Sequence, residues 1–225
     1  MLLAIETATR EGTVAVLDDA GEIAGTYELG ERNHAVTLAP LVASLLEAHG
    51  PPDLYAIDAG PGSFTGLRVG MAFLKGLARS RPGPVVPVRS LEVLAAQILE
   101  AADASAALPV LEASGQYVFA ARYVGGPSGP EVDPSLPVGL YRAEAIAARR
   151  DADAVAGGTG VAKLTAHGFA VRVGGERVPR AETVARLAWR RRSEAQPASR
   201  LEPEYHQPSA AEANLARALE KQKKP

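Results

Sequence analysis

Residues 59–70 read Ala59-Gly60-Pro61-Gly62-Ser63-Phe64-Thr65-Gly66-Leu67-Arg68-Val69-Gly70, a stretch that joins an apolar run to a segment with helical spacing. Its proline and closely spaced glycines predict a tight turn between a strand and a helix, with outward backbone amides that could hold an anion. The spacing departs from the dinucleotide-binding and phosphate-loop patterns, and Ser63 lacks the flanking glycines of a nucleophile elbow. The residues alone leave two interpretations open, a structural turn and a phosphate site.

The sequence before this turn predicts three strands and a helix. The strands lie at residues 2–6, 13–17 and 22–29. Apolar and alternating runs separated by turn residues are typical of such a strand meander. Apolar residues at three-and-four spacing then predict an amphipathic helix. If this helix begins at Thr37, Pro40 falls in its first turn; if it begins near His34, Pro40 kinks it.

Beyond the turn the alternation of helix and strand continues. A helix at about 65–79 follows the turn, a strand at 84–88 comes next, and Ser90 is expected to cap a third helix. This order of elements predicts an α/β fold with mixed sheets flanked by helices. A polar break at 100–105 is expected to separate this lobe from a second one.

The second lobe is expected to open with a hairpin and to close with helices. The predicted elements are strands at 107–111, 117–123 and 152–156, an exposed irregular excursion at 125–137, and helices at 140–150, 160–167 and 181–192. The chain thus divides into an N-terminal lobe at 1–103, a smaller C-terminal lobe at 104–200 and a tail at 201–225. The charged, alanine-rich tail is expected to be poorly ordered alone.

The composition narrows the class of protein. The chain has 225 residues, is 47% hydrophobic and carries a formal net charge of -2, so its overall charge does not favour binding to a polyanion. It has no cysteine, which excludes disulfides, thiolate metal sites and cysteine nucleophiles. The sequence contains no apolar run long enough to predict a membrane-spanning helix, and no basic leader precedes the first strand. We expect a cytoplasmic protein without a membrane partner.

Few side chains have the spacing of catalytic or metal-binding residues. Glu6, Thr7 and Thr9 follow the first strand and could hold a phosphate or a metal, but a solvated hairpin turn is the plainer interpretation. The four histidines are scattered, and no carboxylate is spaced to join His34 in a metal site. We therefore expect no metal site and no catalytic residue.

Two further segments have features that need a physical explanation. The helix after the turn contains Gly66, Gly70 and Gly76, which predicts close approach of another backbone, either from the chain's own sheet or from a partner. Trp189-Arg190-Arg191-Arg192 ends the last helix, where cations lie at the favourable pole of the helix dipole.

The stretch at 59–70 closely resembles the hallmark of the TsaB (YeaZ) family. Leu3-Ala4-Ile5-Glu6-Thr7-Ala8-Thr9 resembles that family's first-strand signature. His34 and Pro40 resemble the family's residues around its first helix, and residues 201–216 resemble its C-terminal segment. The resemblance is tight over residues 1–95 and loose from about 125 to 180.

The resemblance implies a two-lobed actin-like ATPase fold (ASKHA, ribonuclease H-like) and a degenerate paralogue of the catalytic subunit TsaD. It implies a non-catalytic subunit that dimerises with and activates TsaD, together with the ATPase TsaE. The implied reaction is threonylcarbamoyl modification of the adenosine next to the anticodon in tRNAs that read ANN codons. No cofactor is implied for this chain by itself; ATP or ADP and a metal belong to the partner subunits, tRNA is met only through the complex, and a homodimer is possible without TsaD.

The resemblance also assigns roles to residues. The first two helices are implied to dock on TsaD through Leu38, Leu41, Leu45, Leu67, Val69, Gly70 and Phe73. The family-motif turn comprises Gly60, Pro61, Gly62, Ser63, Phe64, Thr65, Gly66 and Arg68. Glu6 stands where active members of the wider superfamily commonly use Asp, so Glu6, Thr7 and Thr9 form a degenerate phosphate-loop region.

Two other functions stay open beside this one. A stand-alone ATPase or kinase of the same superfamily is compatible with the Gly-rich turns, and ATP hydrolysis by the isolated chain would favour it. A glycoprotease-like metallopeptidase is disfavoured, because the sequence offers no cluster of metal ligands. Elemental analysis for zinc would decide the second case.

Overall fold

The computed structural model describes residues 1–30, 34–149, 153–170 and 172–204. The helices in these ranges are α1 (His34–His49), α2 (Phe64–Ser80), α3 (Ser90–Ala102), α4 (Ala143–Ala147), α5 (Val161–Thr165) and α6 (Ala181–Arg190). The strands are β1 (Leu2–Glu6), β2 (Thr13–Leu17), β3 (Ile23–Glu28), β4 (Leu54–Asp58), β5 (Pro84–Val88), β6 (Ala106–Glu112), β7 (Tyr117–Ala120), β8 (Tyr123–Gly126), β9 (Gly129–Val132), β10 (Gly139–Arg142), β11 (Ala154–Gly157) and β12 (Gln196–Pro197). Most of the expected tail, from position 205 onward, lies outside the described residues.

β1 lies inside the first sheet and is buried along its whole length. It pairs antiparallel with β2 and parallel with β4; β3 extends the sheet beyond β2, while β5 and then β12 extend it beyond β4. Side chains alternate between the two faces of a strand. Leu3 and Ile5 therefore join the core beneath α1 and α2, whereas Leu2 and Ala4 join the core that includes α6.

β6 is the central strand of the second sheet. It pairs parallel with β11 and antiparallel with β7 and β8, to which β10 and β9 add in turn. One face of this sheet packs against α4 and α5, through Ile146 and Leu164. The other face packs against α3, through Leu91, Leu94 and Ile98.

The layers alternate helix, sheet, helix, sheet, helix, with α3 and α6 in the middle. α6 packs on the first sheet and against α3, while α3 packs on the second sheet. This architecture confirms the predicted α/β fold with mixed sheets flanked by helices. The segment after residue 180 returns to the first sheet, because α6 covers one of its faces and β12 pairs with β5.

The predicted strand at 117–123 is interrupted at Arg122. β7 and β8 keep one register along β6, in which Val110 pairs with Ala120 and Ala107 with Tyr123. Arg122 is buried between them, and its guanidinium pairs with Asp133 and Asp153. A buried charge requires such partners. The backbone of Arg122 bonds with Leu136 and Asp133 instead of with β6.

Two predictions for the second lobe were wrong. The expected helix at 140–150 is instead β10 followed by the short helix α4, because the backbone around Leu140 pairs with the open edge of β7. The expected irregular excursion at 125–137 contains β9, which forms a hairpin with β8 in which Gly126 lies opposite Gly129. Residues 150–152, at the end of that expected helix and the start of the next expected strand, lie outside the described residues.

The structure shows where α1 and α3 begin. α1 begins at His34, so Pro40 lies inside the helix, where its ring is exposed. Ser90 is the first residue of α3 and not its cap; Arg89 occupies the cap position. Among the described residues, no helix has the length and apolar character needed to cross a bilayer.

Candidate functional site

The motif turn, residues 60–66, connects β4 to α2 and is held by bonds within the chain. The Gly60 amide donates to Asp58 Oδ1 at 2.9 Å, and the Ser63 amide donates to the Ala8 carbonyl at 2.7 Å. Ser63 caps α2, and its Oγ accepts from the Gly66 amide at 3.2 Å. These three amides already have partners inside the protein, which favours the structural interpretation of the turn over the phosphate site.

The glycines of this region permit close contact between α2 and the β1–β2 turn. A Cβ at Gly62 would lie 2.4 Å from the Ala8 carbonyl oxygen, and one at Gly66 would lie 1.9 Å from the Thr7 carbonyl oxygen. At Gly70 it would lie 2.3 Å from Thr7 Oγ1. The backbone approach predicted from the helix glycines is therefore made by the chain's own first hairpin at Gly66, while Gly70 packs against the Thr7 side chain.

Gly76 differs from these positions, because an added Cβ there would meet nothing within 4 Å. Gly60 has a φ of +103°, in the region that favours glycine. The exposed Arg68 of α2 lies over the Phe64 ring, 4.1 Å from its centroid. The motif thus combines a tight turn, a capped helix and a close helix–hairpin contact.

Two buried carboxyl groups lie at the ends of neighbouring parallel strands. β1 and β4 pair through Ile5 and Ile57, so Glu6 and Asp58 follow at the same level of the sheet. Both residues are 0% exposed. Asp58 Oδ1 accepts from Ser90 Oγ as well as from the Gly60 amide.

The expected region Glu6, Thr7 and Thr9 is not a solvated turn. Glu6 and Thr7 are fully buried, and the Thr9 amide donates to Glu6 Oε1 at 3.1 Å. Among described residues, Glu6 Oε2, Asp58 Oδ2 and Thr7 Oγ1 have no hydrogen-bond partner. Each of the two carboxyl groups thus has one buried oxygen that no described donor reaches.

The environment keeps these acids from ionising readily. Burial raises the pKa of Glu6 well above its usual value, and the nearby charge of Asp58 raises it further. Burial also raises the pKa of Asp58 to about 7, against the lowering effect of its bonds from Ser90 and Gly60. Both carboxyl groups therefore hold their protons to a higher pH in the folded chain than they do in water, and the two groups titrate as a pair.

Sequence reasoning missed Asp58 and misassigned Ser90. The usable signal was position: Asp58 ends a buried strand directly before the motif turn, as Glu6 ends β1. Polar residues at the carboxyl ends of adjacent parallel strands come together at one edge of a sheet. Pairing β1 with β4 is the step that the linear sequence does not show.

The chain after β12 closes over this site. The Glu204 amide donates to the Ala59 carbonyl at 2.8 Å, and its carboxylate pairs with Arg89 at 2.7 Å. Leu201 is fully buried in the core beneath α1 and α2. His34 lies against the β1–β2 turn: its Nε2 lies 3.2 Å from the Arg10 carbonyl, and its ring packs on Gly12.

The predicted partner-contact residues divide into two sets. Leu38, Leu45, Leu67 and Gly70 are buried in the fold, so their side chains are not presented to a partner. This corrects their assignment, because the apolar stripe of each helix faces the sheet. Leu41, Val69 and Phe73 are half-buried and remain accessible.

A different set of small and apolar side chains is open to solvent on these helices. On α1 they are Val36, which is 74% exposed, with Ala39, Pro40 and Ala43; on α2 they are Ala72 and Gly76, flanked by the half-buried Val69 and Phe73. We call these eight residues the α1/α2 face.

The part of the chain that the structure describes holds no cluster of three or more His, Cys, Asp or Glu side chains that could bind a metal ion. The carboxylate of Glu204 also acts electrostatically on Asp58, but among the described residues these acids do not form a metal-binding cluster.

Known proteins resemble this chain in sequence and in fold. The chain is 33% identical over 127 residues to the tRNA threonylcarbamoyladenosine biosynthesis protein TsaB of Haemophilus influenzae, a match covering 55% of this chain and 53% of that protein. It is 32% identical over 154 residues to an uncharacterized protein of Mycobacterium tuberculosis, covering 65% of this chain and 71% of that protein. The crystal structure of YeaZ from Pseudomonas aeruginosa superposes with a TM-score of 0.79 at 27% identity, covering 91% of this chain and 99% of that one.

The chain belongs to the TsaB (YeaZ) family. The match to the named TsaB sequences is partial, since this chain spans about half the length of those relatives. A model described as TsaD: tRNA N6-adenosine threonylcarbamoyltransferase also matches residues 27–132. That range contains α1, the motif turn and α2, so the elements that carry the α1/α2 face are shared between the TsaB family and the transferase family.

Proposed function

We propose that this chain is a non-catalytic subunit of a system that makes threonylcarbamoyladenosine in tRNA. Membership of the TsaB (YeaZ) family carries the proposal, because relatives in that family are named as biosynthesis proteins for this nucleoside. The subunit acts by binding and activating a TsaD-type transferase, and the ATPase TsaE joins the complex. The modified base is the adenosine next to the anticodon of tRNAs that read ANN codons, and tRNA is met through the complex.

The geometry of the acid pair supports a non-catalytic role. A general acid or base must lie within hydrogen-bond reach of the substrate or of one bridging water. Glu6 and Asp58 are both buried, and Asp58 Oδ1 is occupied by donors from Ser90 and Gly60. The polar groups at this edge of the sheet therefore serve the fold, and ATP or ADP and a metal are assigned to the partner subunits.

The α1/α2 face is the proposed contact with the transferase. It offers apolar, mostly small side chains on two adjacent helices, which allow another pair of helices to approach closely. The occupant we propose is the corresponding helix pair of the TsaD-type protein, since the TsaD family model matches this chain across both helices. Paralogous surfaces of this kind can pair face to face, as identical ones do in a twofold dimer, and a second copy of this chain is the alternative occupant when the transferase is absent.

Reconstitution tests the function directly. The purified transferase and ATPase, with the enzyme that supplies the threonylcarbamoyl donor, should modify a tRNA transcript only when this chain is added. The modified nucleoside is measured by mass spectrometry after digestion of the tRNA. Full modification without the chain, or ATP hydrolysis by the isolated chain at rates typical of kinases, about 1–100 per second, would refute the proposal.

A Val36→Asp variant tests the contact surface. Burying an unpaired carboxylate in an apolar interface is costly, so binding to the transferase should weaken by about tenfold or more, and modification should fall with it. Because Val36 is 74% exposed in the free chain, the unfolding midpoint should stay nearly unchanged. Binding is measured by titration calorimetry. Gly70→Asp is a poor test, because Gly70 is closed in against Thr7.

The matched control is Val173→Asp, the same substitution at a valine that is 51% exposed and pairs through its backbone with Ala156 in the second lobe. This variant should bind the transferase like the original chain. Equal loss of binding in both variants would mean that added negative charge acts nonspecifically and would remove the α1/α2 face from the proposal.

A further inference from the structure

A cavity of about 400 Å³ lies between α3, α6 and the β8–β9 hairpin. Leu99 and Glu100 of α3 form one wall, Arg186, Leu187 and Arg190 of α6 form another, and Gly125 belongs to the hairpin side. The motif turn is remote from it: Ser90, which bonds Asp58, lies ten residues before Glu100, a distance of about 15 Å along the helix. The cavity is therefore separate from the site of Glu6 and Asp58.

The two arginines of this cavity have no ion-pair partner among the described residues. Arg186 and Arg190 stand one helical turn apart on the same side of α6, and both are exposed. Among the described residues neither forms an ion pair, whereas Arg180 before the helix pairs with Glu28 and Glu182, and Arg191 after it pairs with Glu92. Arg180 and Arg191 are thus neutralised by carboxylates, whereas no described carboxylate pairs with the two arginines that line the cavity.

The lining suits a ligand with a phosphate group. Two guanidinium groups on one wall match the oxygens of a phosphate, to which arginine can donate two parallel hydrogen bonds. Glu100 on α3 can accept from hydroxyl or amino groups of the same ligand, and Leu99 and Leu187 offer apolar contact. The volume lies in the range of about 300–1,000 Å³ that is typical of small-molecule sites.

We propose that this cavity binds a phosphate-bearing ligand of about nucleotide size, with the phosphate on Arg186 and Arg190. The phosphate comes either from a free nucleotide or from a nucleotide within an RNA chain. The site does not depend on the contact between this chain and a transferase, so it can be tested on the purified chain alone.

The test measures binding of ADP and of a tRNA transcript to the full chain by titration calorimetry and fluorescence anisotropy. Arg186→Gln and Arg190→Gln should each weaken binding by about tenfold, because each removes a charge-assisted contact. Gly125→Val should also weaken it, since an added side chain at Gly125 meets no other atom within 4 Å and occupies the mouth of the cavity. The unfolding midpoint of each variant confirms that the fold is kept.

Arg192→Gln is the matched control, because Arg192 lies over the Trp189 ring just beyond α6 and does not line the cavity. It should leave binding unchanged. ADP binding with this pattern assigns the site to free nucleotides, while RNA binding with the same pattern and no ADP binding assigns it to RNA. Absence of binding by both probes at millimolar concentration, or equal losses with Arg192→Gln, would overturn the site.

Discussion

Gly66→Ala should destabilise the chain by about 3 kcal/mol, at the upper end of the usual cost of overpacking a well-packed contact. The new Cβ would lie 1.9 Å from the Thr7 carbonyl oxygen, which is a backbone atom of a buried turn. Relief requires α2 to move away from the β1–β2 hairpin. That movement would also strain the bond from the Ser63 amide to the Ala8 carbonyl. Urea denaturation followed by circular dichroism measures the change as a lower midpoint.

Gly76→Ala is the control in the same helix. Gly76 is exposed, and an added Cβ there meets nothing within 4 Å, so the substitution should stabilise the chain by about 0.5–1 kcal/mol through helix propensity alone. Opposite signs at Gly66 and Gly76 would show that the motif glycines are fixed by contact with the first hairpin. Stabilisation at both positions would contradict the described packing of α2.

The local elements of the first lobe could be predicted because their signals are local. Ser63, a helix cap followed by apolar residues at helical spacing, marks the start of α2, and the uninterrupted apolar run of β1 indicates a strand buried on both faces. In the second lobe the local signals failed. β10 was read as helix because its pairing with β7 depends on a strand about 20 residues earlier, which local propensity cannot register.

The candidate site was harder to predict than the fold, because its residues meet only through long-range pairing. Glu6 and Asp58 lie 52 positions apart and come together when β1 pairs with β4. The partner-contact residues show a related difficulty. The resemblance implied Leu38, Leu45 and Leu67 as contacts, but these residues belong to the apolar faces that pack inside the fold. The exposed side of each helix carries no comparable periodic signal.

The stability of the chain should fall as pH rises from about 5 to about 8, by on the order of 3 kcal/mol. Burial raises the pKa of Asp58 from 3.8 to about 7 and raises that of Glu6 well above 4.5, so in this range the folded state holds more protons than the unfolded state. A carboxyl group whose pKa is raised by folding stabilises the folded state most at low pH. This stabilisation is lost as the pH rises from the pKa of the unfolded state to that of the folded state. Urea midpoints at constant ionic strength measure the slope.

Glu6→Gln separates the acid pair from all other titrating groups. Glutamine keeps the shape of a protonated Glu6 and cannot ionise, so one of the two buried groups that lose a proton is removed and the loss of stability with pH should shrink. Glu47→Gln, at an exposed position of α1, is the control and should follow the original chain at every pH. Parallel curves for all three proteins would mean that the carboxyl group of Glu6 does not contribute to the pH dependence. A flatter curve for Glu6→Gln alone would show that the carboxyl group at the end of β1 is held neutral by the fold, in a state in which it cannot serve as a general base.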